Sequence, residues 1–362
     1  MVKKRGENTS KKIFEFAEGI VEQIKEEKKP KMKIPVRSLS NVEWSEDKGV
    51  LTLGNKKSNR YFFNVGHARK FMQTLLIASF CKDIVDENIH ASIRDMYYNL
   101  KHSIGDSKEN TFEEQSESDP LIVDIETALN LLREQLHLLA DRKGVVVGNV
   151  KVRDRGDVID WSKLGSGGWS IPSVVEDIEF VDVDADFALV IEKNAGFERL
   201  HEDKFWRDYN CILMGTGGQP ARGTRRLIRR LAEEHKIPIY VLTDSDSYGW
   251  YIYSVIKSGS MALAHASDKL ATPSAKFIGL TITDIMEYKL EKSIIRANDR
   301  DIKRAKEMLD YPWFQEKEWR RELKLMIDKR IKAEIEALSS RGLKFLTDTY
   351  LPEKLDKKEF LP

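Results

Sequence analysis

Cysteine is nearly absent: Cys81 and Cys211 are the only two in 362 residues. That is too few for a disulfide framework, and their spacing cannot build a Cys-x-x-Cys zinc site. A reducing compartment follows, with both thiols expected to pack as small apolar groups. The seven histidines, His201, His235 and His265 among them, fall at no metal-ligand spacing, and His201-Glu202 lacks the second histidine of a zincin. No apolar run approaches the roughly 18 residues that cross a bilayer. The Lys/Arg-bearing start has no apolar signal core, so the expected location is cytoplasmic. No glycine is followed by lysine, which excludes a Walker A loop. Net charge is only +1, so any attraction to a polyanion must come from local patches rather than a global field.

What is present is enough apolar material, 41% of residues, to fill the cores of two or three domains. In the second half, short apolar runs alternate with amphipathic stretches in the βαβ manner. The expected strands are 187–192, 211–215, 237–243 and 276–281; 195–208, 224–234 and 248–257 are long enough for crossover helices. A mostly parallel sheet follows, with its ligand site at the carboxyl ends of the strands. The acids sit there. Glu192 closes the first run, and Asp244 and Asp246 close the third, with Tyr248-Gly249 turning the chain. Alternate residues of an extended segment point the same way, so both aspartates are expected to face Glu192. Three converging carboxylates offer an all-oxygen set suited to magnesium. The competing role for either aspartate is to cap the following helix.

The segment Ser92-Ile93-Arg94-Asp95-Met96-Tyr97-Tyr98-Asn99-Leu100 reads as a helix. At about 100° per residue, Ile93, Met96, Tyr97 and Leu100 share an apolar stripe. Tyr97 is therefore expected inside, while Arg94 and Tyr98, four apart, meet on the outer face. A guanidinium beside a phenol favours phenolate and stabilises phosphate charge. The combination points to a tyrosine that attacks a nucleic-acid phosphodiester, against the plainer reading of an exposed Tyr stacked on an Arg.

Glu at one strand end and Asp-x-Asp two strands later resembles the Toprim fold of topoisomerases, primases and related nucleases. Arg94-Asp95-Met96-Tyr97-Tyr98, then Ile191-Glu192-Lys193, Gly217-Gly218-Gln219-Pro220 and Asp244-Ser245-Asp246-Ser247-Tyr248-Gly249, narrows it. Together they resemble the A-subunit family of archaeal DNA topoisomerase VI, which includes the eukaryotic transesterase that makes meiotic double-strand breaks. The similarity runs from about Ser38 to Tyr350-Leu351-Pro352. It implies an α/β and α+β multidomain chain: a 1–60 arm, a 61–160 winged-helix (CAP-like) domain carrying the catalytic tyrosine, and a 161–362 Toprim domain with C-terminal helices. It further implies Tyr98 as nucleophile, with Arg94 assisting, and Glu192, Asp244 and Asp246 as Mg2+ ligands. Double-stranded DNA, a homodimer, a nucleoid location and a separate ATPase B subunit in an A2B2 assembly complete the expectation, with ATP bound by that partner. The alternatives are a dedicated break-forming transesterase and a non-catalytic Toprim DNA-binding or assembly protein. Ser247 stands where proline is expected and Thr216 where lysine is frequent.

Arg222, Arg225, Arg226, Arg229 and Arg230 fall on one side of a helix whose other side carries Leu227, Ile228 and Leu231. A stripe of five arginines without an acid suggests a DNA backbone as counterion, although a charged helix face is often only solvated. The stretch 13–24 reads as an amphipathic helix in the arm, 68–85 as a helix, 101–120 as a polar connector, and 121–140 as a long helix. The Val/Gly-rich 144–152 stretch is expected to form a β-hairpin. Gly165-Ser166-Gly167-Gly168-Trp169 is expected to mark the module boundary, and the charged helices from 301 to 344 to brace the sheet.

Overall fold

The structure, a computed structural model, describes residues 2–362, with side chains from residue 6 onward. Two compact units emerge: Met1–Glu43 with Leu53–Asp141, and Trp44–Thr52 with Arg142–Pro362.

The first unit is mostly helical. Its elements are α1 (Val2–Lys25), β1 (Lys31–Pro35), β2 (Val42–Ser45) and β3 (Val50–Leu53), which lead into the second unit and back, β4 (Lys57–Tyr61), α2 (Val65–Asp86), β5 (Ala91–Ser92), α3 (Ile93–Leu100), α4 (Ser118–Leu129) and β6 (Leu138–Leu139). The strand β1 pairs antiparallel with β4. The expected helix at 13–24 lies within α1 and packs: Ile13 and Ile20 are buried, Ile13 in one core with Ile77, Cys81, Met96 and Phe112, and Ile20 in another with Met32, Ile34 and Phe71. Burying an apolar face is what makes a helix of this composition hold its place. The expected long helix at 121–140 stops at Leu129. Asn130 takes the left-handed conformation that ends α4, and the buried Glu126 carboxylate accepts the Arg133 amide at 2.6 Å. The chain then returns as β6, parallel to β5.

The second unit begins with β7 (Val145–Val147), β8 (Val150–Asp154), β9 (Asp157–Asp160), β10 (Trp169–Ser170) and β11 (Glu179–Val183). The 144–152 stretch is not a hairpin. Its first strand, β7, pairs with β13 (Cys211–Gly215) and β10, while β8 pairs with β9 and β11. Gly148 stands between them at φ +154°, where a Cβ would sit 3.1 Å from the Ile212 Cα; the backbone conformation and the close approach together favour glycine. This pairing places the division between units after Asp141 rather than after residue 160. For the same reason Gly165–Gly167 marks no boundary. Trp169 pairs with Val146 and stacks on the buried Trp161 at 5.3 Å, all within the second unit.

The main sheet has six strands in the order β10-β7-β13-β12-β14-β15, with β12 (Phe187–Ile191), β14 (Ile239–Leu242) and β15 (Lys276–Gly279). The four strands β13, β12, β14 and β15 are mutually parallel. Every residue of β12 and β13 is buried, as befits strands covered on both faces. The covering helices are α5 (Asn194–Glu202), α6 (Phe205–Asp208), α7 (Arg222–Glu234), α8 (Ser247–Lys257), α9 (Ser267–Leu270), α10 (Ile282–Glu287), α11 (Asp299–Met308) and α12 (Lys317–Lys329). The C-terminal helices do brace the sheet: Trp319 of α12 packs on Trp250, Tyr253 and Phe277.

Candidate active site

The tyrosine helix starts from a capping box. Asp95 N–H donates to Ser92 Oγ at 3.0 Å, and Ser92 N–H donates to the Asp95 carboxylate at 3.1 Å. Paired caps fix a helix of only eight residues at its first turn. Met96, Tyr97 and Leu100 are buried, Ile93 only partly, and Tyr98 is 63% exposed against 7% for Tyr97. The Tyr97 hydroxyl donates to the Glu113 carbonyl at 2.9 Å and accepts from Lys101 Nζ at 3.0 Å. Thr111 Oγ1 donates to the Leu100 carbonyl at 2.5 Å, Arg69 donates to the Asn110 carbonyl at 2.8 Å, and Phe112 is buried. The 101–120 stretch is thus a latch holding α3 in register, not a plain connector.

Arg94 and Tyr98 both lie exposed on α3, and among the described residues no ring contact joins them. The cation the structure places nearby is Lys101, which the sequence reading passed over. Its pKa is raised, first by the hydrogen bond to Tyr97 and further by charge interactions that include Glu113 and Tyr98. The signal was available: Lys101 lies three residues after Tyr98 and four after Tyr97.

In the second unit, Glu192 and Asp244 come together as the parallel strands dictate. Ile191 of β12 is in register with Leu242 of β14, and Asp244 N–H donates to Glu192 Oε2 at 3.2 Å. Burial, then the negative charge of Asp244, pushes the Glu192 carboxyl up to about 7. Burial likewise pushes Asp244 up to about 6, against the Ile335 amide and the Lys193 ammonium, which favour its ionised form. Ile335 N–H donates to Asp244 Oδ1 at 2.9 Å, and Lys193 Nζ lies 3.2 Å from Oδ2.

Asp246 stands at the edge of this pair, its negative charge adding to the upward shift of both carboxyls. Its Oδ1 accepts from the Tyr248 and Gly249 amides at 2.9 and 2.7 Å, the N-cap of α8. Its other oxygen lies 3.8 Å from Lys332. Among the described residues, no group of three His, Cys, Asp or Glu side chains gathers closely enough to hold a metal ion. Glu192 and Asp244 thus form a partly buried pair, with Asp246 beside it as a helix cap. Oxygen-only ligands whose charges repel are the donor chemistry that a divalent ion such as magnesium takes. Thr216, where a lysine is frequent in the resembled family, is buried and donates to the Gly218 carbonyl at 2.7 Å, securing the Gly217-Gly218 turn.

The arginine stripe is corrected as well. Arg222, Arg225 and Arg230 are buried. Arg226 pairs with Glu176 at 2.9 Å, Arg229 with Glu233 at 2.6 Å and the Ala271 carbonyl, and Arg230 with Glu234 and the carbonyls of Val175 and Ile178. The helix α7 uses these guanidinium groups to fasten neighbouring loops, so the stripe is neither unpaired nor a free phosphate surface. Leu227, Ile228 and Leu231 are buried on the sheet side as expected.

Three family models match successive parts of the chain. Residues 69–138 match the model for type IIB DNA topoisomerase, 143–184 the all-beta domain in DNA topoisomerase VI alpha subunit, and 187–355 the Toprim domain shared by Spo11 and the topoisomerase 6 A subunit. The parallel sheet with its strand-end acids is therefore a Toprim domain, in a chain of the type IIB topoisomerase class. The type 2 DNA topoisomerase 6 A subunit of Pyrococcus abyssi is 47% identical, over 97% of this chain and 95% of its own. Its counterpart from Sulfurisphaera tokodaii is 44% identical over 99% and 96%, and that from Methanocaldococcus jannaschii 39% over 99% and 98%. The chain belongs to the family of Spo11 and the topoisomerase 6 A subunit, with the activity of the catalytic A subunit of a type IIB DNA topoisomerase. Among the described residues no helix is long and apolar enough to cross a membrane.

Two outcomes follow from this geometry. Arg230→Ala should lower unfolding stability by about 1–3 kcal/mol, because two buried carbonyls lose their donor; a denaturation curve superimposable on wild type would contradict the structural role. Glu192 and Asp244 ionise later in the folded chain than in the unfolded one, so folding takes up protons between the ordinary and raised values. Without a divalent cation, their contribution is fully present below the ordinary values of 4.5 and 3.8 and is lost as pH rises to about 7. Glu192→Gln should flatten that descent in melting temperature; an unchanged slope would count against it.

Proposed function

We propose that Tyr98 is the nucleophile of a reversible DNA transesterification, carried out on an ion-binding pair formed by Glu192 and Asp244. The observation that carries this reading is the asymmetry of the tyrosine pair: one phenol is buried and doubly hydrogen-bonded, the next stands in solvent on the same short helix.

The Tyr98 oxygen attacks phosphorus in line, forming an O–P bond as the bond from phosphorus to the 3′ oxygen breaks. The tyrosine proton is lost to solvent, and the departing 3′ oxygen takes one up. One phosphodiester replaces another, so the 5′-phosphotyrosine link keeps the energy needed for resealing and no nucleotide is spent on that step. Lys101 and Arg94 supply positive charge around the phenol and the phosphate it meets. Magnesium would be held by Glu192 and Asp244, with Asp246 at the edge of the site, and would stabilise charge developing on the leaving oxygen. Thr216 keeps the Gly217-Gly218 turn in shape beside those acids.

The first unit serves as a winged-helix DNA-binding domain, which delivers Tyr98 to the duplex. Two strands require two tyrosines, so the functional unit is a homodimer, each tyrosine working with the acids of the opposite chain. Without a Walker A loop in this chain, strand passage draws on ATP bound by a separate B subunit in an A2B2 complex.

The test is a denaturing-gel trap for protein–DNA adducts with magnesium and the B subunit present. Tyr98→Phe should abolish the adduct, while Tyr97→Phe should retain it and cost about 1 kcal/mol of stability from its lost hydrogen bonds. An adduct surviving Tyr98→Phe would end the proposal. Adducts formed without any relaxation of supercoils would favour a dedicated break-forming enzyme.

A further inference from the structure

The acid pair has a cation of its own chain beside it. Lys193, the residue after Glu192, places Nζ 3.2 Å from Asp244 Oδ2 and 3.5 Å from Glu334 Oε1. We propose that Lys193 is an exchangeable counter-ion, holding the Asp244 oxygen that a divalent cation requires and withdrawing to Glu334 when the cation binds. The proposal rests on the reading of Glu192 and Asp244 as the ion-binding pair.

Three features carry it. The two oxygens of Asp244 have different partners: Oδ1 is held by the Ile335 backbone amide, whereas Oδ2 faces the Lys193 side-chain ammonium, a partner that a rotamer change can exchange. The second anchor is already built. Glu334 lies between residues tied to the Asp244–Asp246 loop, since Ser245 and Ala333 exchange backbone hydrogen bonds at 2.8 and 3.2 Å and Ile335 bonds Asp244. The Glu334 carboxylate is itself half exposed, with 52% of its side-chain surface accessible. It can therefore take the ammonium without burying an uncompensated charge.

The other nearby lysine does not share this position. Lys332, which follows Ile331 in a two-residue strand, bonds the buried Asp301 at 2.9 Å and lies 3.8 Å from Asp246. Its charge is committed to Asp301. Lys193 alone among the described lysines bridges a member of the acid pair to an acid outside it.

The two roles open to Lys193 make opposite forecasts for ion affinity. A lysine that merely orients Asp244 would help the ion, and its loss would weaken binding, as removal of an outer partner of a metal ligand ordinarily does. A lysine that competes for Oδ2 repels the dication, and its loss would tighten binding. Glu334 then acts in the opposite sense, because it draws the ammonium away from Asp244.

The experiment is Mn2+ binding to the full chain, read by electron paramagnetic resonance of the free ion, with folding checked by circular dichroism and melting temperature. Lys193→Met should bind Mn2+ roughly tenfold more tightly, on the scale that neighbours of metal ligands typically exert. Lys193→Arg should stay near wild type. Glu334→Gln, an exposed site expected to fold normally, should weaken Mn2+ binding several-fold. Unchanged or weaker binding in Lys193→Met, or tighter binding in Glu334→Gln, would overturn the counter-ion role. Asp244→Asn separates the two levels of the argument: wild-type Mn2+ affinity in that variant would overturn the acid pair as the ion site, and the counter-ion role with it. If Asp244→Asn loses binding and Lys193→Met does not tighten it, only the role of Lys193 falls.

Discussion

Two carboxylates forced together at the edge of a buried sheet are the constraint around which the Toprim domain is arranged. The register of β12 against β14 puts Glu192 beside Asp244, and neither can be moved without slipping strands whose every inward residue is packed. Charge in such a place is costly unless something answers it. The surrounding chain answers it piecemeal: an amide from Asp244 to Glu192, an amide from Ile335 to Asp244, and an ammonium from Lys193. These partners offset only part of the cost of burial, which holds both carboxyls above their ordinary range. A dication there would answer the charge of both carboxylates at once, as the proposed function requires.

The tyrosine helix solves a different problem with the same economy. A short helix has little intrinsic stability, and α3 is kept by its capping box, its buried stripe and the loop that follows it. Tyr97 is the pivot of that arrangement. Because its hydroxyl is bound to the Glu113 carbonyl and to Lys101, its neighbour is left to face solvent with a cation close at hand. Rigidity of one phenol and availability of the other are two results of one packing decision. An exposed phenol on a fixed support, in the nucleophilic role proposed for Tyr98, loses less orientational freedom when substrate arrives.

Much of this was legible in the residues. Alternation of apolar runs with amphipathic stretches located all four parallel strands to within a few residues, and strand-end acids are informative because α/β sheets place ligands there. Helical spacing separated Tyr97 from Tyr98. What misled was the assumption that a polar side chain faces water or ligand. Asp246 satisfies the amides of α8, a local demand that competes with any ligand for its oxygen. The arginines of α7 face loops rather than solvent, and spacing along one helix carries no information about what packs over its polar face. The 144–152 stretch reads as a hairpin by composition, yet its two strands join different sheets, because their partners lie far along the chain. Lys193 and Glu334 are separated by too many residues for any local pattern to join them.

The most direct test of the account is the number of protons released when magnesium binds the full chain, obtained by calorimetry in buffers of different ionisation enthalpy. A dication binding to carboxyls raised by burial must expel their protons, so release is expected at about pH 6.5 and should vanish by about pH 8.5. Glu192→Gln should remove most of it. No proton release at the lower pH, or release unaffected by that substitution, would contradict the claim that this buried acid pair is where the ion binds.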